Sequence, residues 1–191
     1  MIILFYLIWL VLGLAVGLFV HSLSGFLITK RSGSLENSIL LNARYSAQGF
    51  AVLNGAVWLG SILGFGLQPL TLEFLIMFSI CLVLSVVDIS IRKIPNEILL
   101  LLIFASLLFL GINNGFSDIS DRLIGIIAGV VIFLLPTLVG KGAGAGDIKL
   151  AGVIGFCLGL HDMLEAYIFM LIPLLMKLLK NEPKFLAKNL F

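Results

Sequence analysis

Apolar runs long enough to cross a bilayer follow one another along almost the whole chain. Hydrophobic residues make up 61% of the 191 residues, charged residues only 12%, and the mean hydropathy is +1.21. A soluble domain has about 25% charged residues. Since one span needs about 20 apolar residues, the chain has room for at most about seven or eight crossings and for no sizeable soluble domain. The composition therefore predicts an all-α, polytopic transmembrane helical bundle.

The charged and turn residues between these runs set the number of helices. They predict seven spans, at 2–20, 48–67, 70–87, 97–112, 123–140, 148–160 and 163–176. The sixth is short and rich in glycine, so we expect it to be tilted or to join the seventh through a break at His161 and Asp162. The first lacks a charged start and a small-residue cleavage site, which predicts that it stays as a span.

The distribution of basic residues predicts the orientation. With the N-terminus outside, only Arg122 of the 12 Lys and Arg residues lies on the outer side. The other 11 are then cytoplasmic, which is a strong positive-inside bias: Lys30, Arg31, Arg44, Arg92, Lys93, Lys141, Lys149, Lys177, Lys180, Lys184 and Lys188. This orientation also makes 177–191 a basic cytoplasmic tail. Glu73, Asp118, Asp121, Asp162 and Glu165 fall outside, whereas Asp88 and Asp147 fall together at the cytoplasmic face.

Asp88 lies where the third span is expected to end, in the segment VVDISIRKIPNEI. Pro95 has no amide hydrogen and disfavours helix at the residue before it, so the chain is expected to turn here. Asn96 is a suitable cap for the fourth span. An ordinary hairpin with charges in headgroup water would also explain this segment. Taken by itself, Asp88 is therefore a weak functional signal.

Asp147 follows the segment GKGAGAG, in which Gly142, Gly144 and Gly146 alternate with alanines. Glycine permits close approach of another chain, which suits a site that admits an extended peptide. A phosphate-binding loop is the competing interpretation, but the Walker spacing is absent. The small residues could also serve only to pack helices. That interpretation leaves Asp147 unexplained.

Together the two segments resemble the prepilin peptidase family, the type IV leader peptidases, which are GxGD membrane aspartyl proteases. The resemblance rests on an aspartate followed six residues later by Ile-Pro-Asn, and on a distant Gly-x-Gly-Asp-x-Lys motif. It implies that Asp88 and Asp147 are the catalytic pair, and that the active-site loops contain Pro95, Asn96, Gly144, Gly146 and Lys149. The Tyr-Asp and Pro-Ala-Leu motifs of presenilin-like proteases are missing.

The segment 29–47 departs from the family pattern. Many relatives carry two Cys-x-x-Cys pairs in the first cytoplasmic loop, an arrangement suited to zinc. This segment contains no cysteine, so the chain resembles a short form without the zinc module. N-methylation of the new pilin terminus is linked to that region in the family, which makes a methyltransferase function doubtful here. Cys81 and Cys157 lie singly in apolar runs and are assigned neither to a metal nor to a disulfide.

The resemblance also implies the reaction. Two carboxyl groups a few ångströms apart do not both ionise readily, so one can activate water while the other donates a proton. This scheme needs no metal or cofactor. The implied partners are a prepilin or pseudopilin substrate and the lipid bilayer of a bacterial or archaeal cytoplasmic membrane, with no nucleic acid. The roles of the two aspartates, the pathway served (pili, competence or type II secretion) and the oligomeric state stay open.

Residues 1–191 are thus interpreted as a single integral-membrane peptidase domain. The alternatives are a small polytopic transporter and a non-catalytic assembly subunit, since helices broken at glycine do occur at transport sites. A transport pathway often needs a charged residue near the bilayer midplane, and the sequence places none there. The presence of both aspartates disfavours a scaffold without catalysis.

Overall fold

The computed structural model describes residues 2–32, 38–114, 117–138 and 144–189, and all regular secondary structure in these ranges is helical. This part of the chain contains seven helices, which agrees with the predicted helical bundle. Their bounds are α1 Ile2–Ser32, α2 Ile39–Asn42, α3 Ser46–Phe65, α4 Pro69–Ile91, α5 Asn96–Asn114, α6 Ile119–Leu138 and α7 Ala145–Asn189. The helices and the seven predicted spans do not correspond one to one: α2 has only four residues, and α7 covers both the sixth and the seventh span.

Several of these helices could cross a membrane, which makes the chain a multi-pass membrane protein. By length and composition, five regions within the described ranges qualify: Ile2–Ser32, Ser46–Phe65, Pro69–Ile91, Asn96–Asn113 and Ala145–Ile168, the last of which contains the break at Gly159. Two of the differences from the predicted boundaries concern α1 and the C-terminal tail. Helix α1 continues from the predicted span into the segment 29–47, where the four-residue α2 also lies. Residues 177–189 of the predicted tail are helical, while residues 190 and 191 lie outside the described ranges.

Helices α1, α3, α4 and α5 form one packed unit, which we call the first unit. Gly17 of α1 is so close to α3 that a Cβ atom there would lie 2.6 Å from the Ala51 Cα. Further along, Val20 and Ile28 of α1 pack in one buried cluster with Val87 of α4 and Leu102 of α5. The apolar faces of these helices are therefore buried against each other, and many of their remaining large apolar side chains are exposed, as expected for a surface that faces lipid.

Helix α6 and the first part of α7 form the second unit, which packs through glycine. A Cβ atom added to Gly155 would meet the Gly125 carbonyl oxygen and lie 2.6 Å from the Gly125 carbonyl carbon. A Cβ atom added to Gly129 would lie 2.8 Å from the Ala151 carbonyl carbon. Small residues let helix backbones approach closely where lipid provides no hydrophobic driving force for association. This contact runs antiparallel along both helices, so it fixes the position of α7 against α6.

Helix α7 is broken at Gly159, whose φ of 78° and ψ of 177° are not helical. The chain folds back there, because Met163 Sδ lies 3.0 Å from a Cβ atom built on Gly155, eight residues earlier. In a continuous helix, eight residues span about 12 Å. The predicted sixth and seventh spans therefore correspond to two segments of α7, 145–158 and 160–189. Their junction is at Gly159, two residues before the predicted break at His161 and Asp162, because this backbone conformation strongly favours glycine.

Candidate active site

Asp88 lies in the last turn of α4 and its side chain is half-buried. The helix ends because Arg92 adopts a left-handed conformation, with φ 50° and ψ 37°, and its backbone N–H donates to the Asp88 carbonyl oxygen at 2.7 Å. Pro95 follows, and its carbonyl oxygen accepts hydrogen bonds from the Ile98 and Leu99 amides at the start of α5. Pro95 thus occupies the position before the helix that the sequence assigned to Asn96, which is the first residue of α5.

Asp147 lies in the first turn of α7, which begins at Ala145. Its carboxylate Oδ2 accepts a hydrogen bond from the Gly144 backbone N–H at 2.9 Å, and its own backbone N–H donates to the Gly144 carbonyl oxygen at 2.9 Å. An acidic residue that reaches back to the amide before the helix is one half of a capping box. This bond leaves the other carboxylate oxygen, Oδ1, available for chemistry.

The two aspartate segments meet at one end of the bundle. A Cβ atom built on Gly146 would lie 3.6 Å from the Ile94 Cβ, so the α4–α5 connection touches the first turn of α7. Asp88 and Asp147 therefore lie at the same end of the bundle, as the predicted spans imply. Both aspartates, however, belong to helix ends and not to loops, because α4 continues to Ile91 and α7 already begins at Ala145. Among the described residues, no side chain hydrogen-bonds to the Asp88 carboxylate.

The other predicted site residues surround this contact. Lys149 is exposed and Asn96 lies at the start of α5. Both line a cavity of about 380 Å³ between α5, α6 and α7. Its deeper walls are apolar and include Ile103 and Phe156. No ion pair joins Lys149 to Asp147 in the part of the chain that the structure describes. Gly144 and Gly146 lie beside Asp147, whereas Gly142 lies outside the described residues.

Metal-binding side chains do not cluster within the described ranges. No group of three or more His, Cys, Asp or Glu residues there could hold a metal ion. Cys81 and Cys157 are free thiols. Asp88 and Asp147 contribute carboxyl groups to this end of the bundle, where Asn96 and Lys149 also lie.

The structure contains a buried charged cluster that the sequence interpretation missed. Glu73 of α4 and Arg122 of α6 form an ion pair at 3.3 Å, with side chains only 10% and 12% exposed. Arg122 also donates to the Ser106 hydroxyl, near the middle of α5. Both residues lie near helix ends, as the predicted spans imply, but their side chains are buried in the bundle and pair with each other instead of facing water. The available signal was that Arg122 alone opposes the positive-inside pattern.

The contact between the aspartate segments can be tested by cross-linking. Disulfides form between residues whose Cβ atoms are about 3.5–4.5 Å apart, and the Ile94–Gly146 pair meets this requirement at 3.6 Å. We expect the double variant Ile94→Cys/Gly146→Cys, with Cys81 and Cys157 replaced by alanine, to cross-link under mild oxidation. Mass spectrometry of the digested protein would detect the bridge.

A matched control for this cross-link pairs Ile94→Cys with Gly64→Cys. Gly64 lies near the C-terminal end of α3. Apart from the adjacent backbone of its own helix, no described atom comes within 4 Å of a Cβ built there. This pair is expected to stay reduced. Equal cross-linking of both pairs would contradict the proximity of the α4–α5 connection to the start of α7.

Comparison with known proteins gives matches to one family. Residues 75–179, more than half of the chain, match the model of the type IV leader peptidase family. A prepilin leader peptidase/N-methyltransferase of Bacillus subtilis (strain 168) is 30% identical over 109 residues, which are 55% of this chain and 42% of the relative. A protein of the same name from Pectobacterium carotovorum subsp. carotovorum is 35% identical over 91 residues, 44% of this chain and 32% of the relative.

These matches cover less than half the length of each curated relative. The matched family region contains all of the predicted site residues: Asp88, Pro95, Asn96, Gly144, Gly146, Asp147 and Lys149. No solved structure matches the chain.

Proposed function

Because this chain belongs to the type IV leader peptidase family, we propose that it is a membrane-embedded aspartyl endopeptidase that removes the leader from prepilins or pseudopilins. The observation that carries the proposal is the contact between Gly146, next to Asp147, and Ile94, in the connection that follows Asp88. This contact brings the two aspartate segments together, as a mechanism with two carboxyl groups requires. The family match disfavours the transporter and the non-catalytic subunit.

The proposed reaction uses the two carboxyl groups and one water molecule. The ionised carboxylate removes a proton from the water, whose oxygen attacks the scissile carbonyl carbon. The protonated carboxyl group donates a hydrogen bond to the carbonyl oxygen and then supplies a proton to the leaving amine. The Gly144 amide donates to Asp147 Oδ2 at 2.9 Å, which holds this carboxylate at the start of α7. The pair starts with one proton, gains a second from the water and gives one to the leaving amine, so it ends with one proton again.

The position of the site suits cleavage next to a membrane-embedded helix. Asp88 is at the end of α4 and Asp147 at the start of α7, so the reacting groups lie at the surface of the bundle where a substrate leader would emerge. The apolar cavity beneath Asn96 and Lys149 lies directly beside this end. It offers apolar surface to the residues that follow the cleaved bond.

The test is to express the chain in membranes with a prepilin and to follow leader removal by mass spectrometry. We expect cleavage at the leader boundary, with the new N-terminus carrying no methyl group. An intact prepilin, in membranes where the chain is correctly inserted, would refute the proposed activity. Methylated product would refute only the expectation that the methyltransferase activity is missing.

The proposed orientation has a separate test. Cysteines introduced at Asp118, in the α5–α6 connection, and at Lys184, near the end of α7, are expected to face opposite sides of the membrane. An impermeant thiol reagent added to intact cells should label position 118 and leave position 184 unlabelled until the membrane is opened. Labelling of both positions from one face would rule out this orientation.

A further inference from the structure

The two aspartates lie on different packed units. Asp88 belongs to α4 of the first unit, whereas Asp147 belongs to α7, which packs on α6 through Gly125 and Gly155. The units meet where Val153 of α7 joins the buried cluster of α1, α4 and α5. The distance between the two carboxylates therefore depends on how the second unit sits on the first.

Arg122 connects these units at the opposite end of the bundle. Its Nη1 donates to the Cys157 carbonyl oxygen of α7 at 3.0 Å and also to the Ser106 hydroxyl of α5. Its Nη2 lies 3.3 Å from Glu73 Oε1 of α4. Glu73 in turn accepts a hydrogen bond from Asn113 Nδ2 at 3.1 Å. One side chain of α6 thus contacts three other helices, two of which belong to the first unit.

The break at Gly159 creates the acceptor that Arg122 uses. A continuous helix would satisfy the Cys157 carbonyl by the amide four residues later, but Gly159 interrupts that pattern. Asp121, the neighbour of Arg122, accepts a hydrogen bond from the Leu160 amide at 3.1 Å and lies 3.2 Å from His161 Nδ1. The first turn of α6 therefore binds both sides of the break.

The cluster is well suited to fix a single arrangement. A guanidinium group is planar and has its donors in fixed directions, so it can satisfy several partners only in one geometry. Burial makes loss of one partner costly, since the remaining charge is left uncompensated. Glu73 and Asp88 are 15 residues apart on α4, which corresponds to about 22 Å along the helix. A small rotation at the Arg122 end therefore displaces Asp147 relative to Asp88.

We propose that Arg122 is a positioning residue, which fixes the α6–α7 unit on α4 and α5 through Glu73, Ser106 and the Cys157 carbonyl and thereby sets the separation of Asp88 and Asp147. The catalytic part of this inference rests on the proposed function. The geometric part does not, because it concerns only how the two units dock.

The first measurement is cross-linking, which does not depend on cleavage. In the Ile94→Cys/Gly146→Cys background, Arg122→Gln is expected to slow disulfide formation at least about tenfold, because the bridge requires the two Cβ atoms within about 4.5 Å. Arg122→Lys should recover only part of the rate, since an ammonium group lacks the planar fork. Arg31→Gln is the matched control. It removes the exposed ion pair with Glu97, and it should leave the rate unchanged.

The second measurement is cleavage, made with the native Ile94 and Gly146. Misplacement of reacting groups by about 1 Å can cost about a hundredfold in rate, so Arg122→Gln is expected to lower kcat by that order with little change in KM. A purely structural loss of folded protein would reduce the active fraction without slowing the cross-link in the protein that remains folded. If neither the parent chain nor any variant cleaves a prepilin, the proposed function is refuted. The cross-linking rates would still decide whether Arg122 positions the two units.

The double variant Glu73→Gln/Arg122→Gln covers the possibility that Arg122→Gln does not fold. It removes both charges, so no uncompensated charge stays buried. We expect it to fold and to show the slow cross-linking of the single variant. A folded double variant that cross-links at the parental rate would overturn the proposal. So would loss of folding in both variants, because the cluster would then serve folding as a whole.

Discussion

Replacing Asp147 by asparagine is expected to abolish prepilin cleavage. The amide has the same shape as the carboxylate, and its oxygen can still accept the Gly144 N–H bond, so the start of α7 should be preserved. It can neither take a proton from water nor donate a carboxylic proton. General acid and base groups contribute up to about 10⁴-fold to rates, and we expect a loss of that order. The measurement is leader release from a prepilin in membranes.

Asp88→Asn should have the same effect, because the proposed mechanism gives each carboxyl group a separate proton transfer. The matched control is Asp162→Asn, which changes an exposed carboxylate beyond the Gly159 break. This control should cleave like the parent. Substantial cleavage by Asp88→Asn or Asp147→Asn in correctly inserted protein would show that the aspartate mechanism is wrong, even if the chain is a leader peptidase.

Replacing Gly155 by alanine is expected to cause the largest loss of stability. The new methyl group would meet the Gly125 backbone, with the carbonyl carbon at 2.6 Å, and a backbone cannot move aside as a flexible side chain can. Overpacking of this kind costs about 1–3 kcal/mol and sometimes more. The midpoint of thermal unfolding in detergent should fall. Cleavage should also fall, because α7 carries Asp147.

The chain offers a matched control for this substitution. Gly60 lies within α3, and no described atom comes within 4 Å of a Cβ built there. Gly60→Ala is therefore expected to be neutral or to stabilise the helix by up to about 1 kcal/mol, the propensity difference between the two residues. If Gly155→Ala unfolds at the same temperature as Gly60→Ala, close packing of α6 on α7 does not limit stability.

The helices and the location of the aspartates could be predicted because they follow from local patterns. A long apolar run indicates a helix in the membrane, and Pro95 indicates a turn of the chain, because both effects depend on local sequence alone. The ends of α4 and α7 were less accurate, since they depend on hydrogen bonds such as the one from Gly144 to Asp147 Oδ2. Such bonds are consistent with the sequence but are not specified by it.

The Arg122 cluster could not be predicted because its members are far apart in the chain. Glu73 and Arg122 are separated by 49 residues, and the exception that Arg122 makes to the positive-inside pattern does not reveal its partners. The side chains of Glu73 and Arg122 are buried only because α6 packs near α4 and α5. The same holds for Gly155, since a glycine in a transmembrane run does not reveal which backbone it faces. Tertiary contact decides both features.

The break at Gly159 leaves the first segment of α7 only 14 residues long. At about 1.5 Å per residue it spans about 21 Å, against a hydrocarbon core of about 30 Å. The bilayer therefore has to become thinner beside this segment, or the segment has to be shielded by its neighbours. In the first case, the acyl-chain length of the surrounding lipids acts on the helix that carries Asp147.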